Sequence, residues 1–246
     1  MTIIIPMAGL SSRFTKAGYT LPKYMLYVLN RSLFNIAVSS FEAYFKTFRF
    51  VFIAREVFDT KTFIEKECGL LGIQDYRVVM LSEPTRGQAE TVLKGLDGAD
   101  VDSNESILIF NIDTFRPNYI FPERLQNADG YLEVFKGSGS NWSYAKTVNG
   151  DDSKVIETAE KREISDNCST GIYYFKKASL FKDAYERSLN DLSLKELYVA
   201  PIYNYLIKDG KDIRINVIKR EEVIFCGVPQ EYEDYLRWNI CGLTQK

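Results

Sequence analysis

The sequence predicts an α/β fold built on a doubly wound, mostly parallel sheet. Three observations carry this prediction: short apolar runs that read as strands, amphipathic stretches that read as helices, and a spacing that alternates the two. Ile3-Ile4-Ile5 and Ile107-Leu108-Ile109-Phe110 are near-continuously apolar, as strands covered on both faces must be.

The elements follow in order. Thr2 to Pro6 is a β-branched run that reads as a buried strand, and it feeds the loop Met7 to Arg13. Ser32 is placed to cap a helix running to about Phe45, because Leu33, Ile36, Ala37 and Phe41 recur at helical spacing. Phe48 to Ala54 reads as the second strand, Asp59 to Glu67 as a helix, and Tyr76 to Leu81 as the third strand. Gln88 to Leu96 is a helix and Ser106 to Ile112 the fourth strand. The second half is less regular. Tyr131 to Phe135, Trp142 to Val148 and Gly171 to Phe175 read as strands, with Lys136 to Ser140 as a turn. Helices are expected over Ala178 to Ser188, Leu194 to Ile207 and Glu231 to Ile240, and short strands over Ile213 to Val217 and Val223 to Phe225.

Composition narrows the chemistry. Lys plus Arg (31) nearly balances Asp plus Glu (33), which argues against duplex nucleic acid or anionic membrane as the partner. Histidine is absent, so Ser-His-Asp triads, HExxH zinc sites and histidine phosphotransfer are excluded. The four cysteines form no CxxC pair, and no signal peptide or membrane-length apolar run is present. A soluble cytoplasmic protein with reduced thiols is expected. At 246 residues the chain fits one domain. Tyr232, Tyr235 and Trp238 near the C-terminus either fill the core or pack a homodimer, the core being favoured.

Ligands of doubly wound sheets bind beyond the carboxyl ends of the strands. The loop after the first strand carries Ala8, Gly9, Leu10, Ser11, Ser12 and Arg13, with Lys23 downstream. Small residues let backbone N–H groups approach phosphate oxygens, and cations neutralise them. A polar turn with two solvated cations has the same composition. Asp113 ends the fourth strand, where a carboxylate either holds Mg²⁺ against a substrate phosphate or caps a turn.

These segments together resemble the sugar-phosphate-type nucleotidyltransferases, whose fold is glycosyltransferase-A-like. The likeness rests on six segments in the right order: Ile5 to Arg13 with Leu21-Pro22-Lys23, Glu83 to Leu93, Asn111-Ile112-Asp113, Glu160-Lys161, Cys168 to Phe175, and Gly227 to Glu231. It implies a nucleotide-binding half over about 1–115 and an acceptor-binding half over 116–246. It assigns Ala8 to Ser12 to the phosphates, Arg13 to the leaving β- and γ-phosphates, Lys23 to the α-phosphate, and Mg²⁺ to Asp113. Gly87 and Gln88 would face the base, and Glu83 belongs to the nucleotide-binding set. Glu160, Lys161, Thr170 and Gly171 would meet a phosphorylated small-molecule acceptor, although Glu160-Lys161 also reads as an exposed ion pair and Gly87-Gln88 as a plain helix start.

The opening stretch and Glu196 to Pro201 are similar to cytidylyltransferases of capsule-precursor synthesis, which implies CTP as donor and phosphoglutamine as acceptor. Uridylyl or thymidylyl transfer to a sugar 1-phosphate stays open. Two departures stand out. Ser11 occupies a position usually held by glycine, and Phe225 stands where the family often has a second metal-binding Asp. Phe225 keeps an inactive nucleotide-binding module in play. A glycosyltransferase would share the fold, but Asn111-Ile112-Asp113 has only one carboxylate of the Asp-x-Asp pair such enzymes use.

Overall fold

The computed structural model describes residues 1–148, 151–191 and 196–243. β1 (Thr2–Pro6) leads through the first loop into the short helix α1 (Ser12–Lys16). A small hairpin, β2 (Tyr27–Val28) with β3 (Arg31–Ser32), precedes α2 (Leu33–Val38), which tightens into 3-10 turns through Tyr44. The Ser32 side chain caps α2 by accepting from the Asn35 N–H at 3.0 Å, as its sequence position predicts. Then follow β4 (Arg49–Arg55), α3 (Thr60–Leu71), β5 (Tyr76–Leu81), α4 (Gln88–Gly98), β6 (Ile107–Phe110) and β7 (Thr114–Phe115). The second half comprises β8 (Gly130–Lys136), β9 (Ser143–Val148), β10 (Asp151–Glu160), β11 (Asn167–Phe175), α5 (Ala178–Ser188), α6 (Tyr203–Lys208), β12 (Ile213–Ile218), β13 (Ile224–Phe225) and α7 (Pro229–Leu243).

Nine strands form one continuous sheet in the order β5-β4-β1-β6-β11-β8-β12-β10-β9. The first four are mutually parallel, as expected of strands joined by helical crossovers. β11 enters antiparallel between β6 and β8, so the second half is mixed. The start of β11 also meets β9, with Cys168 opposite Tyr144, and the far half of the sheet curls back on itself.

Alternation along the central strands explains the layers. In β1, Ile3 and Ile5 join one apolar cluster with Phe34, Phe41 and Ile64 of the helices on that face. Ile4 joins the other, with Val92, Leu96, Phe181 and Leu206. Phe50 and Phe52 against Val51 and Ile53 repeat the pattern in β4. Each of these side chains is buried, and burial of one large apolar side chain contributes about 1.5–3 kcal/mol.

Two sequence expectations are corrected. The helix expected over Leu194 to Ile207 begins only with 3-10 turns at Ala200 and becomes α-helical at Tyr203. Leu194 itself lies outside the described residues. Leu197 is held outside any helix instead, because its N–H donates to the Arg86 carbonyl and its carbonyl accepts from the Ala89 N–H. β10 was not anticipated, since its charged residues hide the alternation that marks a half-buried strand. Tyr232 is buried against Phe14 and Tyr19, which agrees with the core reading, whereas Trp238 is exposed.

Candidate active site

A cleft of about 640 Å³ opens where the parallel strands end, and most of the sequence-nominated residues line it. Its floor is built by β1 and its following loop, by Asn111 to Thr114, and by the middle of β11. Ala8, Gly9, Leu10, Ser11, Ser12, Arg13, Lys23, Gly87, Gln88, Asp113, Glu160, Thr170 and Gly171 all face it. Glu83 is exposed outside it, and Lys161 stands behind the cleft-lining Tyr198.

The first loop shows how Ser11 replaces a glycine. Ser11 adopts the left-handed conformation (φ 50°), which a small polar residue tolerates at modest cost. Its hydroxyl accepts from the Lys23 N–H at 3.4 Å, so the side chain ties the loop to the segment that presents Lys23. The Lys23 ammonium reaches 2.5 Å from Asp113 Oδ2. Burial pushes the Asp113 carboxyl upward, yet the Lys23 charge and hydrogen bond, helped by Arg13, bring it below the usual carboxylate range. Arg13, exposed on α1, also acts against the upward shift of the Tyr198 phenol, so its charge is felt at both sides of the cleft. Arg13, Lys23 and Asp113 therefore share one site rather than three.

The loop before α4 is pinned from several directions. Thr85 Oγ1 donates to the Gly87 carbonyl at 3.1 Å, and the Arg86 N–H donates to Glu90 at 2.6 Å. Gly87 has φ 149°, and a Cβ there would lie 2.5 Å from the Leu197 carbonyl oxygen. Only glycine permits that approach. The Gln88 side-chain amide donates to Asn111 Oδ1. A Cβ at Gly171 would in turn lie 2.5 Å from Asn111 Nδ2, so β11 crosses hard against the Asn111 side chain.

The other wall has a different chemistry. Glu160, at the end of β10, accepts from Ser143, whose hydroxyl oxygen also accepts from the Tyr173 phenol at 3.4 Å. Burial pushes the Glu160 carboxyl above its ordinary value, against the Ser143 hydrogen bond and the Lys161 charge. The Tyr198 phenol donates to Glu196, and the Lys161 ammonium lies 4.6 Å from the Tyr198 ring centroid. Trp142, Tyr173 and Tyr198 supply aromatic faces to this wall. Among the described residues, the cations lining the cleft are Arg13 and Lys23, while Lys161 lies against Tyr198 just outside the lining.

Asn111, Ser143, Tyr173, Glu196 and Tyr198 were not nominated as site residues from sequence. Asn111 and Tyr198 fall in segments singled out for other reasons, whereas Ser143 carries no local signal at all.

Phe225 packs against Trp142 and Phe135, with ring centroids 4.6 and 5.5 Å away, and pairs across the strand with Thr114. It offers no ligand. Glu231 is the next carboxylate along; its Oε2 accepts from the N–H groups of Gly227 (2.8 Å) and Val228 (3.2 Å). Among the described residues no three His, Cys, Asp or Glu side chains cluster as a metal set. Asp113, a hard oxygen donor facing the cleft, fits Mg²⁺ as a single protein carboxylate whose remaining ligands come from phosphate and water.

No protein-family model matches the chain, and no curated protein matches it. Solved structures do. The chain is 51% identical to the nucleoside-diphosphate-sugar pyrophosphorylase from Vibrio cholerae RC9, covering 96% of this chain and 99% of that one with a TM-score of 0.92. A glucose-1-phosphate thymidylyltransferase from Bacillus anthracis is 18% identical over 97% and 94% of the two chains, with a TM-score of 0.76. The inositol-1-phosphate CTP transferase from T. maritima is 14% identical over 97% and 95%, with a TM-score of 0.72. The two distant structures share the fold, and no helix among the described residues is long and apolar enough to cross a membrane. With half its residues shared along almost the whole length of the Vibrio structure, the chain belongs to the nucleoside-diphosphate-sugar pyrophosphorylase family of nucleotidyltransferases.

Proposed function

We propose that the protein moves CMP from CTP to a phosphorylated acceptor, releasing pyrophosphate, in the synthesis of capsule or surface-polysaccharide precursors, with phosphoglutamine as the acceptor. The observation that carries the transfer chemistry is the convergence of Arg13, Lys23 and Asp113 on one cleft wall beside the Gly9 loop. An acceptor phosphate oxygen attacks the α-phosphorus. The new P–O bond forms as the bond to the β-phosphate oxygen breaks, and pyrophosphate leaves with that electron pair. The attacking oxygen is already anionic, so no histidine base is needed. Alignment and charge neutralisation lower the barrier.

In this reading the backbone from Ala8 to Ser12 wraps the phosphates, and Arg13 stabilises the departing β- and γ-phosphates. Lys23 meets the α-phosphate and draws the acceptor phosphate into line. Gly87 and Gln88 face the base, with Glu83 at the rim of that loop. A bound Mg²⁺ on Asp113 would neutralise charge shared by the α-phosphate and its neighbour.

The acceptor reading is supported by the carboxylates of the cleft. Lys23 pairs with Asp113, while Glu160 and Glu196 line the cleft hydrogen-bonded to the Ser143 and Tyr198 hydroxyls. The Glu160 wall suits an ammonium group, which carboxylates and aromatic faces both attract. A phosphorylated amino acid has a phosphate for Lys23 and an ammonium for Glu160, with Thr170 and Gly171 beneath it and Lys161 at the outer edge. The second reading, uridylyl or thymidylyl transfer to a sugar 1-phosphate, is supported by the description of the Vibrio relative.

Pyrophosphate release measured with CTP, UTP and dTTP against phosphoglutamine, phosphocholine and glucose 1-phosphate separates the two. CTP with phosphoglutamine should give the highest kcat/KM. UTP or dTTP with glucose 1-phosphate as the best pair would overturn the proposal in favour of the second reading. Nucleotide binding without turnover on any acceptor would mark a regulatory module.

A further inference from the structure

The Lys23 ammonium sits on Asp113, the carboxylate read as the ligand of a divalent cation. It lies 2.5 Å from Asp113 Oδ2, a strong charge-assisted contact, and both side chains are only about a quarter exposed (21% and 27%). A Mg²⁺ ion binds a carboxylate oxygen at about 2.0–2.1 Å. An ammonium at hydrogen-bond distance from the same oxygen takes up the approach and repels the incoming cation. Phe225 is apolar and offers no ligand, and Glu231 Oε2 accepts from the Gly227 and Val228 N–H groups.

We infer that Lys23 is the gate of the metal position: in the nucleotide-free protein it holds Asp113 closed to divalent cations, and the triphosphate opens it by drawing the ammonium away. The α-phosphate is a better partner for Lys23 than a single carboxylate, and the four-carbon stem lets the ammonium swing without moving the backbone. The backbone of that segment stays fixed, because the Lys23 N–H is held by the Ser11 hydroxyl within the phosphate loop. One movement of one side chain then couples two events, arrival of the nucleotide and exposure of Asp113. The free protein binds metal poorly, and metal and nucleotide enter together. This rests on the reading of Asp113 as the metal ligand.

The test measures Mn²⁺ binding alone, by calorimetry or electron paramagnetic resonance, with no nucleotide and no turnover. Lys23→Met should bind Mn²⁺ at least tenfold more tightly than the wild type. Lys23→Arg, which keeps the cation, should remain as weak as the wild type, and Asp113→Asn with Lys23→Met should lose the gain. Thermal melts show whether each variant is folded, and Lys23→Ala, which also removes the ammonium, carries the same comparison if the Met variant is not. Equal, tight Mn²⁺ binding by the wild type and Lys23→Met, well above Asp113→Asn, would overturn the gate and leave Asp113 a metal ligand. Binding no stronger in Lys23→Met than in Asp113→Asn would overturn both.

Discussion

Lys23 Nζ and Asp113 Oδ2 stand 2.5 Å apart although 90 residues separate them in the chain. Lys23 opens the 3-10 turn that follows α1 and Asp113 lies in the turn between β6 and β7, so the pair forms only when the parallel half of the sheet is assembled. Lys23→Ala should reduce turnover by about two orders of magnitude or more, because an electrostatic contact to developing charge is worth several kcal/mol. Steady-state kinetics at saturating nucleotide checks this, and near-normal kcat would remove Lys23 from the chemistry.

Gly87→Ala should weaken nucleotide binding and cost about 1–3 kcal/mol of stability. The new methyl would collide with the Leu197 backbone at 2.5–2.9 Å, and either the Leu197 segment or the loop must move. Comparison of nucleotide Kd and Tm with the wild type reads both effects. An unchanged Kd would show that the loop does not touch the nucleotide.

Glu160→Gln should raise KM for an ammonium-bearing acceptor roughly ten- to a hundredfold, the worth of a hydrogen bond to a charged group of about 1.5–3 kcal/mol, and leave nucleotide Kd alone. Acidification should imitate it. Because burial raises the Glu160 carboxyl above its ordinary value of 4.5, the negative charge is lost as pH falls through a range above that value. Acceptor KM should therefore climb at a higher pH than an ordinary carboxylate would allow. A pH-independent acceptor KM from 7 down to 4.5 would exclude Glu160 from acceptor binding.

Beneath the cleft, Glu133 is fully buried in β8 and bonded by Arg116 at 3.0 Å, with Thr170 and Asn216 adding hydrogen bonds. Arg116→Met should cost about 3–5 kcal/mol by leaving the carboxylate unpaired. The pH dependence has a definite sign. Burial outweighs these partners and raises the Glu133 carboxyl, so its contribution to stability is greatest below 4.5 and is lost as pH rises through the folded value. Removing Arg116 raises it further. Urea unfolding should show the variant losing stability more steeply than the wild type as pH rises above 4.5.

The parallel half was legible because Ile3-Ile4-Ile5 and Ile107 to Phe110 need two apolar faces, and only helices on both sides provide them. Ser32 announced its helix by side-chain chemistry alone. β10 was not legible, because one face is solvent-exposed and its charges obscure the period. The Leu194 to Ile207 stretch has helical composition, yet Leu197 bonds to Arg86 and Ala89, more than a hundred residues earlier, and no local pattern records that. Gly9, Arg13, Lys23 and Asp113 were legible as a group that lines one cleft, because the cleft opens on the loops and turns that follow β1 and β6. Of the residues expected to meet an acceptor, Glu160, Thr170 and Gly171 line the cleft, whereas Ser143, Tyr173 and Tyr198 were not legible because they reach it from three separate segments.

Asp113 is braced from behind by a late part of the chain: the Cys226 N–H donates to its carbonyl at 2.8 Å, and β13 pairs with β7 just beyond it. Every strand of the nine-stranded sheet lies before residue 219. A nascent chain emerging from the ribosome can thus lay down its whole sheet while the carboxylate still lacks its support. Competence would arrive only with the final segment, which also adds Cys226 and Tyr232 to the core.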